Sequence, residues 1–354
     1  MKPVLFTTGH VPAYRVEGLR RLHEREGIEV ALYGGHRLHG GPESPSQLPF
    51  PSVQVAPHEL WRLAAAGRHR AVVCSTAGRL APLAGWAGAR RGGLPVILWA
   101  SLWSHPRTPA HLLGYPALRR LYRSADAVVT YGPHVSTYVR ARGARRVHVA
   151  PQAVDNEFWR AARSSDPPPP GWPSQAAMRF LFVGRDAPEK GVDVLAAAWR
   201  RVVAEREDVA LVLAGGASLD APRTVSLGAL DPRRLRDVYA GCEVLLVPSV
   251  PTRTFREPWG LVINEAMNHG LAVIASDAVG AAAGGLVRDG RNGLIVPAGE
   301  EAALASAIVR LAGDPQLRAR MGVQGAEDVL AYDSDAWAAG FSAALSALGL
   351  SRSR

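Results

Sequence analysis

The sequence contains few of the residues that build disulfide frameworks or metal cages. Its 354 residues include two cysteines, Cys74 and Cys242, which lie far apart in the chain. Two isolated cysteines are typical of a reduced intracellular protein, and they do not suggest a metal cage. We therefore expect a fold held together by its hydrophobic core rather than by covalent or metal cross-links.

Long apolar runs are absent as well. No run approaches the ~20 apolar residues that cross a bilayer. The start, MKPVLFTTGHVP, is typical of a first strand and its turn rather than of a signal peptide. The expected location is the cytoplasm, either in solution or peripheral to the inner face of the membrane.

Acidic residues are scarce in the first half of the chain. Residues 1–170 carry 22 Lys and Arg against 10 Asp and Glu, whereas residues 171–354 carry 19 against 21. The excess of positive charge favours an anionic partner for the first half, such as a membrane surface, an anionic acceptor or nucleic acid. Arginine enrichment from a GC-rich coding sequence explains it equally well. We do not expect nucleic-acid binding, because no array of base-stacking aromatics accompanies the arginines.

Short apolar runs alternate with helical segments along the whole chain. The runs lie at 3–9, 28–34, 71–76, 95–100, 127–132 and 147–151, and again at 178–184, 209–216, 243–249, 272–277 and 292–297. Continuous apolar strands separated by helices predict parallel sheets that are covered on both faces. The fold class expected is therefore α/β, with two Rossmann-like doubly wound domains. Ligands in such folds bind outside the carboxyl ends of the strands, here in a cleft between the domains.

Four consecutive prolines, Pro167 to Pro170, interrupt the alternation. They cannot continue a helix or join the interior of a sheet, so they predict a semi-rigid linker. The domain organisation expected is a Rossmann-like N-terminal domain (1–165), a Pro-rich linker (166–176), a Rossmann-like C-terminal domain (177–335) and a final segment (336–354). That segment contains an apolar-striped helix and is a candidate for crossing back to the N-terminal domain.

The first chemical motif is FVGRDAPEKG, residues 182–191. Gly184 allows a tight turn after an apolar strand, and Arg185 and Lys190 precede a helix that opens near Gly191. Two cations beside a helix N-terminus suit a diphosphate. The spacing is neither that of a P-loop nor GxGxxG. The alternative is a solvated loop in which Asp186 neighbours Arg185 and Glu189 neighbours Lys190.

The second motif is EPWGLVINEAMNHG, residues 257–270. It predicts a helix from about Gly260 to Asn268, with Glu257 in the loop before it and Glu265 two turns along. Carboxylates accept hydrogen bonds from sugar and ribose hydroxyls and stabilise a developing oxocarbenium charge. A helix-capping Glu257 and a surface Glu265 are the alternative.

A third motif, residues 276–297, has small residues and glycines through Gly285 that would let a ligand approach the backbone, followed by turn residues. A plain strand–loop–hairpin connection is its alternative. In their order and spacing, across roughly residues 180–312, the three motifs resemble the retaining glycosyltransferases of family 4, which have the GT-B fold.

The resemblance implies that the N-terminal domain binds the acceptor and the C-terminal domain binds the nucleotide-sugar donor. It also implies a role for each matched residue. Arg185 and Lys190 would hold the donor diphosphate, Glu265 the nucleotide ribose, and Glu257 the transferred sugar near its anomeric centre. Asn264 and the backbone at the helix start would lie against sugar and phosphate. The implied donor contacts also include Gly9, Gly184, Gly215, Pro258, Trp259, Gly260, Leu261 and Val262.

In the N-terminal half the resemblance is weaker. Gly9 lies in a turn that lacks the paired glycines common in the family. The family often places a histidine directly after the strand that matches residues 95–100, but here His105 is offset from that position. His105 is one candidate to assist catalysis and His10, on the sugar side, is a second; a loop histidine without a catalytic role is the alternative.

The function implied is transfer of a hexose from a UDP-, GDP- or TDP-sugar to a hydroxyl acceptor with retention of configuration. The acceptor is a small molecule, a lipid or a saccharide, as in cell-wall, polysaccharide, glycolipid or natural-product glycosylation. The nucleotide sugar is a co-substrate, and we expect no cofactor and no obligatory metal. The alternatives are a GT-B nucleotide-sugar epimerase or phosphorylase and a non-catalytic nucleotide-sugar-binding protein.

One basic segment, residues 112–123, bears on the membrane question. It places Leu113 and Leu118 beside Arg119, Arg120 and Arg123. Such a helix could rest on an anionic membrane. Packing on the sheet is the alternative that we favour. The oligomeric state is not predicted.

Overall fold

The computed structural model describes residues 1–34, 47–76, 78, 80–164 and 166–352. The chain divides into two compact units, Met1–Asp155 with Tyr332–Arg354, and Asn156–Ala331. The domain limits that the sequence suggests, after residues 165, 176 and 335, stay a prediction. Residues 35–46, 77, 79 and 165 of the predicted first domain, and 353–354 of the predicted terminal segment, lie outside the described residues.

The first unit is built on a parallel sheet. Its described strands are β1 (Val4–Thr8), β2 (Ile28–Leu32), β3 (Ser52–Gln54), β4 (Ala71–Ser75), β5 (Val96–Ala100), β6 (Ala127–Thr130) and β7 (Val147–Val149). They pair in the order β3-β2-β1-β4-β5-β6-β7. The helices are α1 (Ala13–Glu26), α2 (Leu60–Ala65), α3 (Ala81–Arg91), α4 (Pro109–Ser124) and α5 (Pro133–Arg140). The order reverses between β1 and β4, as in doubly wound sheets.

The second unit repeats this design. Its described strands are β8 (Met178–Val183), β9 (Val209–Ala214), β10 (Thr224–Ser226), β11 (Val244–Val247), β12 (Ala272–Ser276) and β13 (Gly293–Val296). They pair in parallel in the order β10-β9-β8-β11-β12-β13. The helices are α6 (Asn156–Arg160), α7 (Val192–Glu205), α8 (Pro232–Ala240), α9 (Val262–Asn268), α10 (Gly280–Ala283), α11 (Glu301–Gly313) and α12 (Pro315–Asp328). Short 3₁₀ turns cover Pro188–Lys190 and Val329–Ala331.

The final helix, α13 (Ser334–Ser346), belongs to the first unit and packs against α1, β6 and β7. Asp333 Oδ1 caps it by accepting from the Ala336 amide at 2.7 Å. Trp337 and Phe341 lie in an aromatic cluster with Phe6 and Trp99, with ring centroids 4.6–6.2 Å apart. Burial of these rings supplies much of the apolar area that holds the helix in place.

Each predicted apolar run in both halves contains a strand, which confirms the parallel α/β architecture. Two strands were not predicted, β3 and β10. Both are three residues long, lie at a sheet edge and are half-exposed, so neither shows a continuous apolar pattern. Among the described residues, none of the helices is both long and apolar enough to span a bilayer.

Candidate active site

In the second unit the strands are parallel, so their carboxyl ends meet at one edge of the sheet. The turns that follow two neighbouring strands touch there. Gly184 follows β8 and donates its amide to Ala214 O, at the end of β9, at 2.8 Å. A Cβ on Gly215 would lie 3.0 Å from the backbone of Gly184. Larger residues would therefore push apart these two turns, both of which carry predicted donor contacts.

The turn after β8 leads into α7 through Gly191, whose φ is +68°. A Cβ at this position would lie 2.1 Å from the carbonyl oxygen of Pro248, which follows β11. The amide of Val250 donates to the carbonyl of Glu189 at 3.0 Å, which joins the same two loops. The N-terminus of α7, with its unpaired amides and positive dipole end, is thereby held beside the end of β11.

The two predicted diphosphate cations have different surroundings. Lys190 Nζ lies 2.5 Å from Glu257 Oε2, and the Lys190 side chain is 24% exposed. Arg185 Nη2 lies 2.6 Å from Glu189 Oε1, and its side chain is 56% exposed. Lys190 of the first motif is therefore in direct contact with Glu257 of the second, although 67 residues separate them. Arg185 thus pairs with Glu189, which differs from the pairs of the alternative interpretation. The exposure of Arg185 leaves its guanidinium able to reach another anion.

The loop that carries Glu257 is fixed by its backbone. The carbonyls of Glu257 and Trp259 accept from the amides of Gly280 and Ala281 at 3.0 and 2.8 Å. A Cβ on Gly280 would lie 1.9 Å from the carbonyl oxygen of Pro258, so only glycine fits there. Gly280 belongs to the third motif, so the third motif holds the loop of the second motif in place.

The helix of the second motif begins later than predicted. Gly260 has φ +91°, in the left-handed region, and α9 starts at Val262 with Leu261 as its N-cap. The predicted start at Gly260 is therefore wrong by two residues, because a left-handed residue cannot be part of a right-handed helix. Pro258, Leu261 and Val262 are each half-buried.

Glu265 lies in the first turn of α9, where Tyr239 Oη donates to its Oε2 at 2.8 Å. Burial raises the pKa of Glu265 to about 7, with the Tyr239 hydrogen bond acting in the opposite direction. Burial and the Glu265 carboxylate together raise the pKa of Tyr239 well above its ordinary value. Glu265 is therefore neither the surface residue of the alternative nor a fully ionised acid at neutral pH.

Asn264 does not lie against a ligand as expected. Its side chain is 0% exposed, and its Oδ1 accepts from the indole Nε1 of Trp259 at 2.8 Å. Trp259 is buried as well. The side chain of Asn264 thus supports the Glu257 loop from inside the protein and has no exposed atom to offer a sugar or a phosphate.

Comparisons with known proteins agree with this geometry. A family model described as group 1 glycosyl transferases matches residues 177–314, and one for family 4 glycosyltransferases in conflict systems matches residues 116–227. The GDP-mannose-dependent alpha-mannosyltransferase of Mycobacterium tuberculosis is 31% identical over 316 residues, which cover 83% of this chain and 79% of that protein. The chain belongs to the family 4 glycosyltransferases.

Two further similarities bear on the extent and the fold. The phosphatidyl-myo-inositol mannosyltransferase of Mycobacterium leprae is 35% identical over 180 residues, 48% of this chain and 46% of that one, so the chain spans less than half of that relative's length. Sucrose-phosphate synthase from Thermosynechococcus elongatus superposes with a TM-score of 0.72 at 19% identity and covers 99% of both chains. The predicted family and the predicted GT-B fold class are both confirmed.

The remaining site candidates of this family 4 chain lie in the first unit. Gly9 follows β1, and its carbonyl accepts from the amide of Gly34 at 2.8 Å. Thr8 Oγ1 donates to the carbonyl of His10 at 3.2 Å, within the same turn. A catalytic role for His10 and a phosphate contact for Gly9 stay predictions.

His105 lies in a small polar and aromatic cluster of the first unit. Its Nε2 is 3.0 Å from the carbonyl of His111, and its ring packs edge-on against Tyr115 with centroids 4.7 Å apart. Its Nδ1 lies 3.5 Å from Tyr138 Oη. These contacts join His105 to α4 and α5. They give His105 a structural role that does not depend on a substrate.

The end of the third motif is structural. Asn292 is fully buried, and its amide nitrogen donates to Leu286 O and to Asp328 Oδ2, both at 2.9 Å. Its Oδ1 accepts from the amide of Arg288 at 2.8 Å. These bonds fix the turn before β13 onto α12, so this turn matches the alternative reading of a plain connection.

Two residues of the site were missed in the sequence. Tyr239 lies in α8, where nothing in the pattern separates it from a core aromatic, and its partner Glu265 is 26 residues away. Glu189 was noted only as a charged neighbour. Within the described ranges, no group of three or more His, Cys, Asp or Glu side chains could hold a metal ion.

Proposed function

We propose that this chain transfers a hexose from a nucleoside diphosphate sugar to a hydroxyl acceptor with retention of configuration. The observation that carries the proposal is the 2.5 Å contact between Lys190 Nζ and Glu257 Oε2 beside the N-terminus of α7. The contact supports the proposal because it joins the cation that we propose for phosphate binding to the carboxylate that we propose for the anomeric carbon. The bond to be broken joins a phosphate oxygen to that carbon, so it needs both groups close together.

Each residue then acts on one part of the donor. Lys190, Arg185 and the amides at the start of α7 neutralise the diphosphate, which is the leaving group. Glu257 stabilises positive charge that develops on the sugar ring. Glu265 accepts hydrogen bonds from the ribose.

The acceptor attacks from the face that the diphosphate leaves, and the departing phosphate oxygen takes the acceptor's proton. No protein nucleophile is required in this scheme. Since two side-chain cations and a helix dipole supply the positive charge, we propose that transfer does not need a divalent metal. Transfer that is lost in EDTA and restored by Mg²⁺ or Mn²⁺ would contradict that part.

GDP-mannose is the donor to test first. Both relatives described above are named as mannosyltransferases, and the name of one of them states that it depends on GDP-mannose. Thermal shift with GDP-mannose, UDP-glucose and TDP-glucose should show stabilisation by one of them, since a ligand raises apparent stability by mass action. Transfer to phosphatidylinositol and to free inositol should then be measured, with the anomeric configuration of the product read by NMR. Donor consumption without an acceptor would instead indicate an epimerase or a phosphorylase.

We also propose that the first turns of α4 contact an anionic membrane. Leu112 and Leu113 are 60% and 84% exposed, whereas burial of this helix begins only at Leu121. The interpretation that we favoured for this helix, packing on the sheet, therefore holds for the end of the helix but not for its start. Exposed arginines, including Arg119 and Arg120, accompany the two leucines. Co-sedimentation with vesicles containing phosphatidylglycerol should fall in Leu113→Glu and stay unchanged in Leu330→Glu, an exposed leucine of the second unit.

A further inference from the structure

A chain of hydrogen bonds, formed by side chains and one backbone carbonyl, connects the Glu257 loop to α6. Trp259 Nε1 donates to Asn264 Oδ1 at 2.8 Å, and the backbone carbonyl of Asn264 accepts from Asn268 Nδ2 at 2.9 Å. Asn268 Nδ2 also donates to Asn156 Oδ1 at 2.8 Å. Asn268 Oδ1 accepts from Arg160 Nε at 2.9 Å. The bonds among Trp259, Asn264 and Asn268 are buried and form away from competing water, whereas the bonds to Asn156 and Arg160 are only partly buried.

The far end of the network lies where the chain passes between its two units. Asn156 is the first residue of the second unit, which ends at Ala331. The side-chain Nδ2 of Asn156 donates to the carbonyl of Val329 at 3.5 Å, and Arg160 donates to the carbonyl of Ala326. The network thus holds α6 to the last turns of the same unit, close to both boundaries.

The near end of the network reaches the loop that carries Glu257. The backbone of the loop is hydrogen-bonded to Gly280 and Ala281 on one side, and Trp259 anchors it through the indole on the other. If the indole shifts, the residue two positions before it shifts too. Displacements of a fraction of an ångström at a reacting centre lower rates by an order of magnitude or more.

We propose that Asn156, Asn268 and Asn264 are positioning residues that hold the Glu257 loop in its catalytic geometry through the Trp259 indole. This inference rests on the proposed function, because Glu257 is the residue whose placement matters. Any hydrogen-bond partner would satisfy a polar group that is buried in an apolar core, so burial alone would not require this arrangement. The distinctive feature here is that one continuous chain of bonds ends at the donor loop.

The test begins with Asn156→Ala, because Asn156 is half-buried and far in sequence from the donor motifs. We expect kcat to fall about tenfold, with the Kd of the nucleoside diphosphate changed by less than about twofold. Asn156→Asp keeps the oxygen that accepts from Asn268 and should restore most of the rate. Arg236→Ala is the matched control, since Arg236 contacts α6 through the carbonyl of Phe158 at 3.4 Å but lies outside the network.

A second readout does not depend on activity. The indole N–H resonance of Trp259, assigned in a ¹⁵N spectrum by its loss in Trp259→Phe, should move in Asn156→Ala and not in Arg236→Ala. In the Trp259→Phe background, Asn156→Ala should lower kcat much less than in the wild type, because the coupling runs through the indole.

An unmoved indole resonance in Asn156→Ala overturns the proposal, and so does a moved resonance with an unchanged kcat, which would leave a structural role only. Equal losses of rate in Asn156→Ala and Arg236→Ala also overturn it. If the wild type shows no transfer but the resonance moves as described, the proposed function fails while the connection from Asn156 to the donor loop stands.

Discussion

Replacing Glu257 by Gln should strengthen binding of the nucleoside diphosphate while it abolishes transfer. Glutamine keeps the size of the side chain but removes its negative charge. In the free protein Glu257 Oε2 lies 2.5 Å from Lys190 Nζ, and Glu257 is 8% exposed. An incoming diphosphate therefore meets a cation that is already paired and a nearby anion that repels it.

The size of the effect follows from Coulomb's law. A phosphate oxygen in contact with Lys190 would lie about 5–6 Å from the Glu257 carboxylate, and two unit charges at that distance interact by about 3 kcal/mol at an effective dielectric constant of 20. Because the Lys190 side chain is 24% exposed, solvent screens part of this repulsion. We expect a net gain of about 1.4 kcal/mol, which is a tenfold lower Kd.

The assay is calorimetric titration with GDP, or with the diphosphate of whichever donor the screen selects. Glu189→Gln is the matched control: it removes the same charge beside Arg185, whose side chain is 56% exposed, so its Kd should change less than about threefold. Transfer should fall by at least about a hundredfold in Glu257→Gln only. A folded Glu257→Gln protein that binds the diphosphate no better than the wild type would refute the reasoning.

Three further predictions concern pH, backbone space and stability. Since the pKa of Glu265 is raised to about 7, its carboxylate fraction grows between pH 6 and 8 and ribose binding should tighten; Glu265→Gln should flatten this dependence in pH-resolved titrations. Gly280→Ala should reduce kcat by at least about tenfold, because its Cβ would displace the Pro258 carbonyl, whereas Gly114→Ala has open space and should leave kcat unchanged. Trp337→Ala should lower the free energy of unfolding of its unit by about 3–5 kcal/mol in urea denaturation, against less than about 0.5 kcal/mol for the exposed Leu113→Ala. An equal loss in those last two variants would contradict the packing of α13.

The architecture was predictable because burial on both faces of a parallel sheet demands continuous apolar strands. That demand leaves a local pattern, which is why the runs at 178–184 and 272–277 could be identified as β8 and β12. The short edge strands β3 and β10 escape the same reasoning. Backbone pairing with one neighbour defines them, and it requires no particular side chains.

The site was predictable as a set of residue types but not as a set of contacts. The spacing of Arg185, Lys190, Glu257 and Glu265 identified the family, because a diphosphate and sugar hydroxyls need cations and carboxylates. The orientation of Asn264 was misjudged: the resemblance placed it against the donor, but its side chain turns into the core and accepts from Trp259 Nε1. A periodicity argument cannot choose between those directions at a helix start.

By itself the sequence determined the alternation of strands and helices and the chemical groups available to a donor, since both depend on local composition and spacing. Only the tertiary structure decided which groups meet: Lys190 with Glu257, Tyr239 with Glu265, and Trp259 with the asparagines that lead to α6. The physical reason is that parallel strands bring their carboxyl ends together regardless of separation along the chain. Hydrogen bonds and charge interactions act over a few ångströms in space, whatever the number of residues between them.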